Sequence, residues 1–435
     1  MNYDVLIVGT GVAGLYSALN LDSNLNILMI TKGKITEANS YLAQGGISTV
    51  RSKDDITCFI EDTLKAGGYE NDIKALSILA KESRYNIKTL LDMKVPFDKN
   101  NMGLSYTREG AHSTNRIVHC KDATGKAVMD TLISEVKKRD NITVLEDTYC
   151  ADLIIRDNCC YGAVAIKNSE SFNIYAKVII LATGGIGGIF KNTTNAPTVT
   201  GDGIAMALKN NIEVKDLNYV QFHPTGFYQK ETSIEETSRQ VFLISESLRG
   251  EGGKLYNSQG KRFVKELLPR DVVTEAILQE TKKTGVPFVY LDMTELDGEY
   301  LKSRFPTIYE ECLKNNIDIT KDLIPVAPVQ HYFMGGIKVD TNSKSSLDNL
   351  YCVGETSCTG IHGKNRLASN SLLEALVFSR RAALKINSDI LNTQLLTPEV
   401  TETFDFKTVE NANRSMLINE FKHRLRGNYS ESISC

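Results

Sequence analysis

The chain has 435 residues, of which 42% are hydrophobic and 24% charged, and its net charge is −3. That describes an ordinary globular protein of two or three domains and excludes nucleic acid as a main partner, because no basic face dominates. Nine cysteines without a C-x-x-C pair, Cys159 and Cys160 adjacent among them, suit free thiols in a reducing cytoplasm rather than a disulfide framework or a zinc site.

Residues 3–8 (YDVLIV) form an apolar run long enough for a buried parallel strand. No run in the chain reaches the length of a membrane helix, and a strand starting at Tyr3 leaves no room for a cleavable signal, so a cytoplasmic location is expected. Directly after the strand come Gly9-Thr10-Gly11-Val12-Ala13-Gly14 and the helical spacing of Leu15, Ala18 and Leu19. This is G-x-G-x-x-G in its context of strand, tight turn and helix. The first glycine makes the turn, the second lets backbone approach a pyrophosphate, and the third lets helix and strand pack closely. The second strand, residues 26–30 (NILMI), should end in an acid that holds a ribose hydroxyl. The chain reads Thr31-Lys32-Gly33 instead, which weakens a nicotinamide dehydrogenase reading. Lys32 then either covers an adenosine ribose or phosphate or is a solvated turn lysine.

Helical periodicity covers residues 72–93 and 125–138, and β-type runs follow at 142–146, 151–155, 161–166 and 177–182. The last leads into Thr183-Gly184-Gly185-Ile186-Gly187-Gly188, and Gly201-Asp202-Gly203 opens a helix at 204–209. Strands alternating with helices predict an α/β fold with a parallel sheet, and the middle run of short strands predicts a β insertion. From residue 216 to about 334 longer, charge-rich loops mark an inserted second domain; the glycine-punctuated α/β pattern resumes at Gly335. A site is expected where the two domains meet. Residues 354–375 (GETSCTGIHGKNRLASNSLLEA) set Glu355, His362 and Arg366 ahead of a Ser-Asn-Ser helix start. A helix N-terminus aimed at something negative accounts for them. A polar loop with Ser369 to Ser371 as an ordinary cap leaves the three charged or titratable residues unexplained. A last helical stretch, 408–424, precedes a polar tail.

These blocks, in this order, resemble the succinate dehydrogenase/fumarate reductase flavoprotein family. The matching segments are GTGVAG at 9–14, SYLAQGGIS at 40–48, HSTNRIVHCKDATGKAV at 112–128, LATGGIGGIF at 181–190 and GDGIAMA at 201–207. They continue with QFHPTGF at 221–227, SESLRGEGG at 245–253, LPRDVV at 268–273, QHYFMGGI at 330–337 and GKNRLASNSLLEA at 363–375. The resemblance implies a discontinuous Rossmann-like FAD-binding domain over 1–216 and 334–390 and an inserted α+β capping domain over 217–333, closing over a dicarboxylate. A short, partly helical C-terminal segment over 391–435 stands where relatives are expected to carry a longer helical domain.

Carried over residue by residue, it places the FAD diphosphate on Gly9, Thr10, Gly11, Val12, Ala13 and Gly14. Lys32, Asn39, Ser40, Tyr41, Leu42, Ala43, Gln44, Gly45, Gly46, Asp202, Glu355, Ser371 and Leu372 complete the cofactor shell. The helix starting near Ser369 would point its positive end at the flavin pyrimidine ring and favour the reduced, negative form. Family members that attach flavin covalently carry histidine at the position of Asn39, so the FAD is expected to be non-covalent. The substrate site carries over as His223, Ser245, Glu246, Arg270, His331 and Arg366, with Glu109. Arg366 with His331 would hold one carboxylate, and His223 with Ser245 the other. Arg270 resembles the residue that exchanges a proton with substrate carbon. Since a guanidinium holds its proton, either Glu246 relays it or Arg270 acts mainly as donor in the fumarate direction.

Taken singly, His223 before Pro224 and His331 before Tyr332 read as satisfied core histidines. Arg249 and Arg262 read as structural or solvated, His362 as a shaper of the backbone, and His112 and His119 stay unassigned. Three functions compete. The first is oxidation of L-aspartate to iminoaspartate with electrons passed to oxygen or fumarate, the first step of de novo NAD (quinolinate) biosynthesis, with quinolinate synthase downstream. The second is a soluble fumarate reductase or succinate dehydrogenase flavoprotein subunit. The third is a flavin- or nucleotide-binding protein without chemistry, against which every expected catalytic position is occupied. Glu109 can pair with an α-ammonium that succinate lacks, and Asn39 points the same way, so the first reading leads.

Overall fold

The structure, a computed structural model, describes residues 1–229, 238–400, 403–425 and 432–433; most of the expected polar tail lies outside them. The strands that build it are β1 (Asn2–Val8), β2 (Ile27–Ile30), β3 (Ile142–Leu145), β4 (Tyr149–Arg156), β5 (Cys159–Lys167) and β6 (Glu170–Leu181). They continue with β7 (Val220–Phe227), β8 (Lys254–Tyr256), β9 (Val289–Asp292), β10 (Ile324–Phe333) and β11 (Leu350–Cys352). The helices that matter here are α1 (Val12–Asn20), α2 (Ile73–Asp92), α3 (Thr124–Lys137) and α4 (Asp202–Lys209). After them come α5 (Glu246–Gly250), α6 (Arg270–Thr284), α7 (Asn370–Asp389) and α8 (Phe406–Arg424).

β1 is apolar throughout its second half because both of its faces are covered. Val5 and Ile7 enter one core cluster, with Leu15 of α1 and Phe378 of α7; Leu6 and Val8 enter the other, with Ile204 of α4. The seven-stranded sheet runs β3-β2-β1-β6-β5-β4, with β11 also on β6. β6 joins two patterns in one strand. Its C-terminal half pairs parallel with β1 and β11, while its first half pairs antiparallel with β5. The short strands read as a β insertion are therefore the antiparallel end of the main sheet.

The first turn sets the geometry of the whole edge. Gly9 has φ +111, and a Cβ on it would lie 2.2 Å from the Ala182 carbonyl oxygen. A Cβ on Gly14 would lie 2.1 Å from the Gly9 carbonyl oxygen, so α1 packs on β1 only because glycine is there. α2 starts where Asp72 accepts a hydrogen bond from the Ala75 amide at 2.9 Å, an N-cap that agrees with the periodicity.

A second, six-stranded sheet is organised around β10, flanked by β7 and β9 with β8 beyond, and encloses its own core of Phe227, Leu248, Val273, Leu291 and Ile324. It also recruits the short strand Asn192–Thr193, which precedes residue 217 in the chain. α6 packs on β7, which fixes Arg270, its first residue, beside the sheet. α8 lies against α4, with Leu417 and Phe421 buried in the second core cluster.

Candidate active site

A cavity of about 690 Å³ opens where Val8, Ile30, Ala182 and Val353 mark the C-terminal ends of the parallel strands, and residues of the second sheet form its other wall. The position is where open α/β sheets bind ligands, and the volume is that of a cofactor or substrate site. Every residue expected in the cofactor shell lines it except Val12 and Gly14, which stand behind the wall. Glu109, His223, Ser245, Glu246, Arg270, His331 and Arg366 line it as well.

At one end the donors are backbone. α1 starts at Gly11 with no side-chain cap, and the Val12 amide donates to Ser40 Oγ at 3.1 Å. A Cβ on Gly11 would lie 3.2 Å from that same hydroxyl, a tight contact that glycine avoids. The start of α7 departs from expectation. Ser369 has the left-handed φ of 61° and makes no cap; its hydroxyl donates to Glu109 Oε2 at 2.6 Å. Two helix N-termini thus open toward the cavity with no cap from their own N-cap residues, an arrangement that fits a diphosphate and a reduced flavin ring.

Lys32 is no solvated turn residue. Its Nζ lies 2.8 Å from Asp202 Oδ2 and 2.5 Å from Thr200 Oγ1, on the cavity wall. Asn39 Oδ1 accepts from the Ala196 amide at 2.7 Å, so an amide stands where covalent flavin attachment would need an imidazole. Glu355 Oε1 accepts from the Phe333 amide at 2.9 Å, and burial pushes its carboxyl up to about 7. These groups suit FAD, whose hydroxyls and phosphates need acceptors and amide donors rather than a metal.

The other end collects charge. Arg270 heads α6 and donates from Nε to Glu246 Oε2 at 2.6 Å and from Nη1 to Gln221 Oε1 at 3.0 Å. Glu246 is the first residue of α5, where the helix end favours an acid. Burial works to raise its carboxyl, but Arg270 and Arg249 together hold it below the usual range. Arg249, read from sequence as structural or solvated, is fully buried with Nη2 3.4 Å from Glu246 Oε1. Glu109 is buried too. Its oxygens accept from Ser247 Oγ at 2.9 Å and Ser369 Oγ, and burial, with the nearby Glu246 charge, raises its carboxyl.

Arg366 lies with its guanidinium 4.4 Å over the Tyr332 ring and donates to Ser371 Oγ at 3.2 Å. Burial and Arg270 bring it down to about 10, so it remains a cation at neutral pH. His223 and His331 face each other with ring centroids 5.1 Å apart. Irregular register in the β7–β10 pairing on both sides of His223 breaks the strand's alternation there. The Thr225 amide donates to His223 Nδ1 at 3.2 Å, while the buried Nε2 has no partner among the described residues. That is not a satisfied core histidine. His331 Nδ1 meets Thr194 Oγ1 at 2.7 Å, and burial followed by the Arg270 charge pushes both imidazoles well below their usual range.

Sequence reasoning missed Ser247, Ser369, Tyr332 and Arg249 as parts of this end. Ser247 and Arg249 sit inside the SESLRG block already singled out, whereas nothing local announces the left-handed turn at Ser369. His362 does more than shape backbone: its Nε2 meets Glu374 Oε2 at 2.8 Å, and the Tyr332 hydroxyl donates to the same oxygen at 3.0 Å. His112 meets the Ala368 carbonyl at 3.0 Å and His119 meets Asp98 at 2.9 Å, and neither lines the cavity. Arg262 pairs with Glu266 at the surface. Among the described residues no helix is long and apolar enough to cross a membrane, and no His, Cys, Asp and Glu group can hold a metal.

The FAD binding domain family matches residues 4–372 of the chain. An L-aspartate oxidase of Clostridium perfringens is 55% identical over 99% of this chain and 96% of its own length. That of Clostridium acetobutylicum is 54% identical over 99% of both. One from Neisseria meningitidis is 42% identical, over 88% of this chain and 77% of its own length. Among solved structures, an E. coli quinol fumarate reductase superposes with a TM-score of 0.83 at 28% identity, covering 97% of this chain and 74% of that one. The clostridial proteins are matched over nearly all their length, whereas the Neisseria protein is longer than the match.

Proposed function

The chain belongs to the L-aspartate oxidases, FAD-dependent members of the succinate dehydrogenase/fumarate reductase flavoprotein family, and on that premise we propose how its residues oxidise L-aspartate to iminoaspartate. FAD, when bound, supplies the two-electron redox chemistry. The Arg366 fork takes one substrate carboxylate, with His331 beside it. His223, neutral and carrying an unpaired Nε2, serves with Ser245 at the other carboxylate. Glu109 faces the α-ammonium. Arg270 stands at the substrate carbon as the proton-exchanging group, and Glu246, bonded to its Nε, carries the proton to or from it.

One observation supports the amino-acid substrate above all. Glu109 is a buried carboxylate held by two hydroxyls rather than by a cation, so a charge is left for the substrate's ammonium to answer. An arriving ammonium would stabilise the ionised form that burial disfavours. Fumarate has the same carboxylate spacing without the amine and fits the same end as electron acceptor, with oxygen as the alternative. The product, an unstable imine, would pass to quinolinate synthase in the cytoplasm, making this the first step of NAD biosynthesis.

A second reading, a soluble fumarate reductase or succinate dehydrogenase flavoprotein, rests on that same fit to fumarate and on the likeness to fumarate reductase structures. Anaerobic reduction of the bound flavin separates the two. L-aspartate should bleach it, succinate should do so poorly, and fumarate should restore the colour. Rapid bleaching by succinate with none by L-aspartate would hand the protein to the second reading.

A further inference from the structure

We propose that the C-terminal helix α8 positions the adenosine half of FAD, acting through a buried chain from Asn413 to Tyr149 to Asp202. The proposal rests on reading the end of the cavity that holds Lys32 and Asp202 as the adenosine end. In a dinucleotide fold the segment just after the second strand faces the ribose, and here Lys32 lies in that segment, two residues beyond β2.

Lys32 is fixed by Asp202, and its Nζ also lies 5.6 Å from the centre of the Tyr149 ring. The Tyr149 hydroxyl donates to the other Asp202 oxygen at 3.3 Å. From the far side, Asn413 Nδ2 of α8 donates to the Tyr149 hydroxyl oxygen at 3.2 Å. The order of donors is consistent along the chain. The amide supplies a hydrogen to the phenol oxygen, which leaves the phenol hydrogen for the carboxylate that holds Lys32. Burial keeps the phenol protonated, so the donor is always present. Phe406, the first residue of α8, meets the Tyr149 ring edge to face at 5.0 Å and fixes its tilt.

The same helix braces the segment that delivers Asp202. Arg414 Nη1 donates to the Gly188 carbonyl at 2.5 Å, at the end of the glycine-rich run that follows β6. Leu417 packs so closely on Gly201 that a Cβ there would lie 2.6 Å from Leu417 Cδ1, and Gly201 has φ +86 just before Asp202. Leu417 and Phe421 would cover the core without any of this. A buried asparagine in mid-helix is not needed for cover, and the hydroxyl it donates to belongs to a residue of the cavity wall. By linkage, bound FAD should in turn hold α8 in place.

The test titrates full-length apoprotein with FAD, followed by flavin fluorescence, and with ADP as a competing ligand that carries only the adenosine half. Asn413→Ala and Tyr149→Phe should each weaken FAD about five- to twentyfold and ADP by the same factor. The double variant should bind no more weakly than the weaker single one, because both cut one chain. Tyr149→Phe keeps the ring against Phe406, so it carries the test if Asn413→Ala disturbs the helix. FAD affinity within twofold of the unaltered protein, with only the unfolding temperature lowered, would reduce α8 to core cover and overturn the proposal. FAD weakened with ADP unaffected would move the contact to the flavin half and overturn the placement. ADP that fails to compete with FAD in the unaltered protein would instead overturn the reading of this end as the adenosine site.

Discussion

At the cofactor end of the cavity the protein presents backbone: Gly9, Thr10 and Gly11 come from a single turn, and two helix starts whose N-cap residues make no side-chain cap face it. At the substrate end it presents side chains drawn from distant places, with Glu109, His223, Glu246, Arg270, His331 and Arg366 each on a different segment. The first end is specified by local chain geometry and tolerates ligands that share a phosphate backbone. The second is specified by the balance of charge, where three buried arginines face two buried carboxylates and no single group is neutral to its neighbours. Shape recognises the part of the ligand that never changes, and charge recognises the part that reacts.

The contrast can be broken at either end. Its all-or-none form concerns the cofactor. With Asn39 engaged by the Ala196 amide and no histidine in its place, acid precipitation should release all of the FAD into the supernatant. Flavin remaining on the denatured chain would mean a covalent link from another residue. At the substrate end Arg270→Lys keeps the charge but loses the planar fork that binds Glu246 and Gln221 together. Turnover should fall on the order of 10²- to 10⁴-fold with the flavin spectrum unchanged. Near-normal turnover would take proton exchange away from Arg270.

Glu109→Gln removes the charge set aside for the ammonium and should cost about 1 to 3 kcal/mol, roughly 5- to 150-fold, in kcat/KM for L-aspartate. Fumarate reduction should change far less, and equal losses for both would make Glu109 a support for Ser247 and Ser369 only. The smallest effect is one of pH. Glu355 is raised by burial from 4.5 to about 7, so the folded state binds this proton more tightly than the unfolded chain. Its contribution to apoprotein stability is complete below about 4.5 and is lost as the pH rises through 7. The carboxylate is the better acceptor for a cofactor hydroxyl, so FAD affinity should rise several-fold, by about tenfold at most, between roughly pH 6 and 8. Glu355→Gln should flatten both dependences; unchanged slopes would assign them to another group.

How far each end is legible in the sequence follows from the same contrast. β1, the glycine turn and α1 are readable because every requirement is met within a few residues: burial on both faces, a positive φ, a close helix. α2 is readable because its helical periodicity starts at Asp72, the residue that caps the helix. His223 and His331 are not readable from their own surroundings, which look like apolar strand, and only the wider sequence blocks single them out. Their unsatisfied or cavity-facing character depends on the β7–β10 register. At Ser369 residue type suggests a cap, while the backbone angle, invisible in sequence, decides against it. The pairing of Lys32 with Asp202 joins residues far apart in the chain, and no local pattern encodes it.

The uncapped start of α7 has a consequence for the life of the protein in the cell. Because Ser369 spends its hydroxyl on Glu109, its side chain caps none of that helix's opening amides, and α1, begun by Gly11, has a side-chain partner only where the Val12 amide meets Ser40. Each buried donor left without a partner costs about 1 to 3 kcal/mol, a sizeable part of a domain's stability. FAD at a hundredfold excess over its dissociation constant restores about 2.7 kcal/mol by mass action. A newly made chain waiting for flavin is therefore the form that proteases find first, and vitamin supply would set how much of the enzyme accumulates as well as how much of it works.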